Sequence, residues 1–267
     1  KLDGIDADGF DFSGIRAVVG GLAGSEHTVY LKGDGTVWCW GGNGNGQLGD
    51  GNTANSPVPR QVAGLAGMTA VSAGGYFTVA LRGDGTVWAW GDNSNGQLGN
   101  GTTTGSSVPM QVNGLAGVTA IAAGRDHALA LKDDGTVWAW GRNSSGQLGN
   151  GTTANSPIPV QTAGLAGVTA IAAGQDHSVA VKRDGLVWAW GDNSNGQLGN
   201  GSTTALHTPG QANTITTAKA VACGTRNTFA LKADGTLFAW GRNHAGQLGI
   251  GTTTDAYTPV KLTGVKD

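Results

Sequence analysis

The sequence predicts an all-β protein made of five repeated sheets that stack face to face. Three observations carry this. The stretch Val137-Trp138-Ala139-Trp140-Gly141-Arg142-Asn143, followed by Gly146-Gln147-Leu148-Gly149, has five copies at a spacing of fifty residues; the others begin at Val37, Val87, Val187 and Leu237. Each copy follows an Asp-Gly pair set between two apolar runs, a strong hairpin signal. The returning strand then has two apolar faces, Trp138 and Trp140 on one side and Val137 and Ala139 on the other, so both sides need cover. A fixed period of this length marks a repeat architecture, in which each unit buries its apolar face only against its neighbours.

The elements follow in chain order. Residues 1–13, KLDGIDADGFDFS, read as an acidic lead-in or linker. Their aspartates lack the spacing and the bidentate Glu of a calcium loop. From residue 14 to 267 each repeat holds four short strands. The first, Gly117 to Gly124 with counterparts from Gly14, Gly67, Gly167 and Thr217, is rich in small residues and suits a crowded axis. His127 to Lys132 forms the second. Asp133-Asp134-Gly135 turns the chain, with a tight primed turn expected. Thr136 to Trp140 returns, and its small Ala139 side is expected to receive the tryptophan pair of the next sheet. Each such ring buries on the order of 200 Å².

A long polar connection, Gly141 to Thr153, comes next. The glutamine repeated at 47, 97, 147, 197 and 247 reads as an amide that satisfies loop backbone groups. Prolines at 57, 59, 109, 157, 159, 209 and 259 point to an edge strand, ending in a short segment such as Val160 to Thr162. The strand from Gly14 to Gly21 is expected to complete the sheet of the C-terminal repeat and close a ring, which would remove exposed sheet edges.

Composition narrows the function classes. Glycine is abundant (49 residues), charged residues make up 13% and the formal net charge is −2. The periodic Trp, Val and Leu separate this chain from disordered Gly-rich sequences. No Lys/Arg run offers a phosphate footprint, so a nucleic-acid partner is not expected. No apolar run is long enough to cross a membrane as a helix. The two cysteines, Cys39 and Cys223, stand where other copies carry Ala and read as small buried thiols, with a bridge between them as the alternative.

No catalytic constellation emerges. His27, His127 and His177 share a repeat position with Phe77 and Asn227, which suits packing and a backbone hydrogen bond better than a base or a metal ligand. There is no Gly-x-Ser-x-Gly elbow, and the Gly-rich loops lack a Gly-Lys-Ser/Thr ending. The expectation is a non-enzymatic protein without cofactor or metal.

Positions that differ between copies are the better guide to function, because the constant ones are explained by the fold. They precede the histidine position and follow the tryptophan strand, in loops where recognition is usually placed. Tyr76, Arg125, Asp126, Arg142, Asp176, Arg226 and Arg242 are the candidate partner-binding residues, Tyr and Arg being favoured at hot spots.

The pattern G-x-x-H, A-L, D-G-T-V-W-A-W-G-x-N-x-x-G-Q-L-G-x-G resembles the regulator of chromosome condensation repeat over residues 14–267. The resemblance implies a β-propeller with one four-stranded blade per repeat. The best-known members have seven blades. Five repeats lead to the expectation of a closed five-bladed ring, with a longer array or closure by oligomerisation as the alternatives.

The family includes an exchange factor for the Ran GTPase, an inhibitor of β-lactamases and interaction domains of larger proteins. The leading expectation is a bacterial, exported protein–protein interaction scaffold, extracellular or at the cell surface, with the cytoplasm as second choice. A guanine-nucleotide exchange factor for a small GTPase, a secreted enzyme inhibitor and a structural module of a longer surface protein are the alternatives.

Overall fold

The structure, a computed structural model, describes residues 15–20 and 26–263; the acidic lead-in 1–13 lies outside the described residues. The described chain forms twenty strands and no helix. Blade one contains β1 (Ile15–Gly20), β2 (His27–Lys32), β3 (Val37–Gly41) and β4 (Ser56–Gln61). Blade two contains β5 (Met68–Ala73), β6 (Phe77–Arg82), β7 (Val87–Gly91) and β8 (Ser106–Gln111). Blade three contains β9 (Val118–Ala123), β10 (His127–Lys132), β11 (Val137–Gly141) and β12 (Ser156–Gln161). Blade four contains β13 (Val168–Ala173), β14 (His177–Lys182), β15 (Val187–Gly191) and β16 (Leu206–Gln211). Blade five contains β17 (Ala218–Cys223), β18 (Asn227–Lys232), β19 (Leu237–Gly241) and β20 (Ala256–Lys261).

Every blade is a four-stranded antiparallel meander of consecutive strands. The strand order corrects one expectation. β1 pairs with β2 and not with the C-terminal repeat, which brings its own first strand, β17. The chain carries five first strands for five sets of the other three, so none is left over for exchange. Pairing β1 with its sequence neighbour also closes a far shorter loop.

The hairpin turn differs from the primed form. Gly135 N donates to Lys132 O (3.0 Å) and Lys132 N to Thr136 O (3.0 Å). Only Gly135 has positive φ (78°), and Asp134 does not. This is a three-residue connection ending in a left-handed glycine. Asp134 keeps its place as acceptor, taking the Thr136 amide at 2.9 Å and hydroxyl at 2.6 Å. Those bonds, the hydroxyl first, hold its carboxyl below the usual range.

The first strands of consecutive blades pack on one another and form the inner side, while β4, β8, β12, β16 and β20 are outermost. Pro59, Pro109, Pro159, Pro209 and Pro259 hold the same position in the five outer strands, consistent with an unpaired edge, since proline offers no amide to a further strand.

The core lies between blades. Ala89, Val79, Leu81 and Leu98 of blade two pack with Trp140 of blade three, and Ala139 of blade three packs with Trp190 of blade four. The small side of each strand thus faces the next blade's tryptophan, as its sequence alternation requires. The two tryptophans of a pair have different fates, however. Trp90, Trp140, Trp190 and Trp240 are fully buried. Trp88, Trp138 and Trp188 are half-buried beneath Arg82, Lys132 and Lys182, whose cationic groups lie 4.7–5.8 Å from the ring centroids. From blade two onward the second ring of each pair is sealed between sheets, while Trp88, Trp138 and Trp188 pack partly buried against the same clusters.

Candidate functional site

The loops between the first and second strands and those after the third strand emerge on the same side of the blades. Repeated residues pin them. Asn143, fully buried, donates to Thr152 O (3.0 Å) and Ala154 O (3.0 Å) and accepts from Leu148 N (2.9 Å). Gln147 accepts the Ser145 amide at 2.9 Å. Its carbonyl receives Trp190 Nε1 of the next blade at 2.8 Å. The amide role expected for the glutamine therefore holds, and its carbonyl adds a bond between blades. Asn143 and its counterparts were not singled out in the sequence; their fixed distance from Trp140 in all five copies was the available signal.

The histidines also bridge blades. Nε2 of His27, His127 and His177 lies 3.0–3.1 Å from the hydroxyls of Thr78, Ser178 and Thr228. The partner is a side chain on the next blade, where a backbone bond was expected. Burial pushes the three imidazoles down, His27 and His177 to about 4 and His127 to about 3. A neutral, buried ring that spaces two sheets is unsuited to proton transfer with a substrate. Asp176 and His177 point to different partners, the carboxylate to Arg142 and Gln147 and the ring to Thr228. Both cysteines are free thiols, Cys39 buried and Cys223 half-buried. Among the described residues no cluster of His, Cys, Asp and Glu is placed to hold a metal.

The variable residues stand on this pinned framework. A ladder of main-chain bonds joins their loops from blade to blade: Gly75 N to Arg125 O (2.8 Å), Arg125 N to Gln175 O (3.2 Å) and Gln175 N to Thr225 O (3.0 Å). The ladder sets Tyr76, Arg125 and Asp126, Asp176, and Arg226 in successive steps along one rim. Tyr76 and Arg125 are exposed, Asp126 is buried, and Arg142, Asp176, Arg226 and Arg242 are half-buried.

Four of the seven candidates form one charge network. Arg142 Nη1 lies 3.6 Å from Asp126 Oδ2 and 3.4 Å from Asp176 Oδ1 on the next blade. Arg125 Nε lies 3.7 Å from Asp126 Oδ2. These separations exceed good hydrogen-bond length, so the pairs are coulombic rather than bidentate clamps. Burial raises the Asp126 carboxyl above its ordinary range; Arg125 and Arg142 oppose the rise, while Asp176 and Asp92 add to it.

The other three candidates stand outside the network. Tyr76 meets it through Gly75, whose amide bonds Arg125 O. Arg226 and Arg242 share blade five through a main-chain bond of 2.9 Å, and among the described residues neither guanidinium has a carboxylate partner. The alternating Asp92 and Asp192, at the position of Arg142, turn inward to Gln97 and Gln197 (2.8 and 2.7 Å). The rim thus offers a paired cluster at blades three and four, an exposed tyrosine before it and, after it, two arginines without a carboxylate partner among the described residues.

Comparison with known proteins places this geometry. A family model described as the RCC1-like domain matches residues 9–267. Human WBSCR16 superposes with a TM-score of 0.81 at 26% identity, covering 90% of this chain and 65% of that one. The chain therefore spans just under two thirds of the length of that relative. Yeast RCC1 (Prp20), solved with Kap60, gives a TM-score of 0.70 at 22% identity, with 94% of this chain and 75% of that one covered. A second structure of Prp20p from Saccharomyces cerevisiae, described with its binding to Gsp1p and histones, gives 0.68 at 21% identity over 94% and 77%. The fold agrees with these propellers, and with W-x-W in four blades and Phe238-Ala239-Trp240 in the fifth the chain belongs to the RCC1-like domain family.

Proposed function

We propose that the chain is a non-enzymatic protein-binding scaffold that engages its partner through the variable loop rim. One observation carries the reading: the constant polar side chains of the loops are engaged within the fold, whereas the residues that differ between copies are lined up by the main-chain ladder on one surface. Tyr76 supplies an exposed aromatic contact, and Arg125 and Arg142 supply guanidinium groups in loose ion pairs. Their long separations from Asp126 and Asp176, 3.4–3.7 Å, leave N–H donors free for a carboxylate on a partner.

The test is capture of partners from native lysate and from culture medium by the immobilised chain, against Tyr76→Ala/Arg125→Ala. A partner recovered by the parent chain and lost by at least tenfold in the double variant is the expected result. Equal recovery removes this rim as the binding surface. Recovery from culture medium alone tests the exported location proposed with this reading; a partner found only in lysate refutes it.

Nucleotide exchange on a small GTPase is the second reading. Its support is the likeness of fold to Prp20p, described with its binding to Gsp1p. It requires accelerated nucleotide release from a small GTPase, and a panel showing no acceleration rejects it.

A further inference from the structure

The chain contains eight Asn-Gly pairs. In such a pair the glycine nitrogen can attack the asparagine carboxamide carbon, and glycine puts no side chain in the way. In a folded protein the pair reacts only where that nitrogen and that carboxamide are free to meet.

Seven pairs are held. Gly46, Gly96 and Gly196 donate their amides to the carbonyls of Asn43, Asn93 and Asn193, at 2.8–2.9 Å, inside their own loops. Gly101, Gly151 and Gly201 donate to the outer strand of the next blade, to Pro157 O, His207 O and Tyr257 O, at 2.8–2.9 Å. In Asn43-Gly44 the carboxamide is immobilised instead. It is fully buried, donates to Asn52 O (3.1 Å) and Ala54 O (3.0 Å) and accepts Leu48 N (3.0 Å).

Asn113-Gly114 differs in each respect. It lies between β8 and β9, in the turn that carries the chain from blade two to blade three, and both residues are exposed. Among the described residues no hydrogen bond engages the Gly114 amide. Gly114 has φ of 72°, and a Cβ built there would meet nothing within 4 Å, so the turn has room to rearrange. The Asn113 carboxamide is held by one surface hydrogen bond, Nδ2 to Asn100 O at 2.9 Å. The matching turns lack the pair. Ala63-Gly64 and Ala163-Gly164 have no carboxamide, and Asn213-Thr214 sets a branched side chain beside the nitrogen.

We propose that Asn113-Gly114 is a site of spontaneous covalent modification, with water as the co-reactant. The Gly114 nitrogen bonds to Asn113 Cγ, the Cγ–Nδ2 bond breaks, and Nδ2 leaves as ammonia with the proton from the Gly114 nitrogen. Water then opens the cyclic imide. Cleavage of the bond from Cγ to nitrogen leaves aspartate. Cleavage at the Asn113 main-chain carbonyl leaves isoaspartate, with the chain now running through Cβ and Cγ. Either product puts a carboxylate where a donor stood, so Asn100 O loses its partner. Isoaspartate also lengthens the covalent connection between blades two and three by one methylene.

The test is incubation of the whole chain at mildly alkaline pH, with amide-to-acid conversion followed at each asparagine by fragmentation mass spectrometry. Conversion at Asn113 should be at least about tenfold faster than at the other seven pairs, a barrier lower by about 1.4 kcal/mol. In concentrated urea the eight rates should converge, because the fold is what separates them. Gly114→Thr, which copies the Asn213-Thr214 turn, should slow conversion at Asn113 by at least about tenfold. Asn113→Ala, which copies Ala63 and Ala163, should leave the folded chain without a fast site. Conversion of Asn100 or Asn150 in the folded chain as fast as that of Asn113 overturns the proposal. So does an Asn113 that converts in urea but is protected in the folded chain.

Discussion

Trp140 and Trp190 occupy the same repeat position, are both fully buried and both donate an indole N–H to a glutamine carbonyl. Their environments differ by one hydroxyl. Gln147 O also accepts Ser178 Oγ at 2.8 Å, whereas the matching residue for Gln97 O is Ala128, which has nothing to donate. Substitution by Phe keeps most of the ring area at either site and removes the N–H. Both variants lose an intramolecular hydrogen bond worth about 1 kcal/mol. Trp140→Phe in addition strands a buried carbonyl, at about 1–2 kcal/mol more. Trp140→Phe should therefore be the less stable of the two by that margin. Ala128→Ser in the Trp140→Phe background should recover much of the difference. Urea unfolding, followed by circular dichroism and by fluorescence so that partial unfolding of the repeat array is detected, gives the two values. Equal costs at the two positions, or no recovery with Ala128→Ser, would falsify the claim that the carbonyl's satisfaction decides the outcome.

Other outcomes follow from the same contacts. Asn143→Ala strands the carbonyls of Thr152 and Ala154 and the amide of Leu148, and should cost about 2–4 kcal/mol, read as a lowered urea midpoint. Gly149→Ala and Gly164→Ala both place a side chain at positive φ (67° and 69°), but only at Gly149 would the new Cβ lie 2.8 Å from Trp190 and Thr162. Gly164→Ala, in open space, should cost about 1 kcal/mol and Gly149→Ala clearly more; equal melting temperatures would refute the packing argument. The buried histidines give a signed pH dependence. Their folded pKa values, about 4 for His27 and His177 and about 3 for His127, lie below the unfolded value near 6.5. Protons therefore bind the unfolded chain first, and stability is lost as pH falls from about 6.5 towards 4, by at most roughly 3 kcal/mol per histidine. His177→Phe, which puts into blade four the residue that blade two carries at Phe77, should flatten that loss; an unaltered slope in urea midpoint against pH would remove the imidazole from the account.

Much of the architecture was legible because it is local or periodic. The Asp-Gly turns, the two-faced tryptophan strands and the proline-bearing edges act within one repeat, and their fifty-residue recurrence gives every blade the same four strands. The facing of Ala139 and Trp190 across blades was legible too, since identical units stacked in order must offer the small face of one to the large face of the next. The candidate rim was legible as a set of variable positions, but not as a network. That Arg142 spans Asp126 and Asp176, while among the described residues Arg226 and Arg242 lack a carboxylate, depends on which loops the main-chain ladder brings side by side.

The sequence by itself determined the repeat, the strands within it and the alternation that makes blades stack, because those follow from backbone geometry and from apolar side chains placed two residues apart. Only the tertiary structure decided that β1 stays in its own blade, and that in blades two, three and four one ring of the tryptophan pair is sealed while the other lies under a cation. Burial is a property of what lies opposite, and a residue can be identical in all five copies yet differ in exposure, as buried Gln147 and exposed Gln247 do.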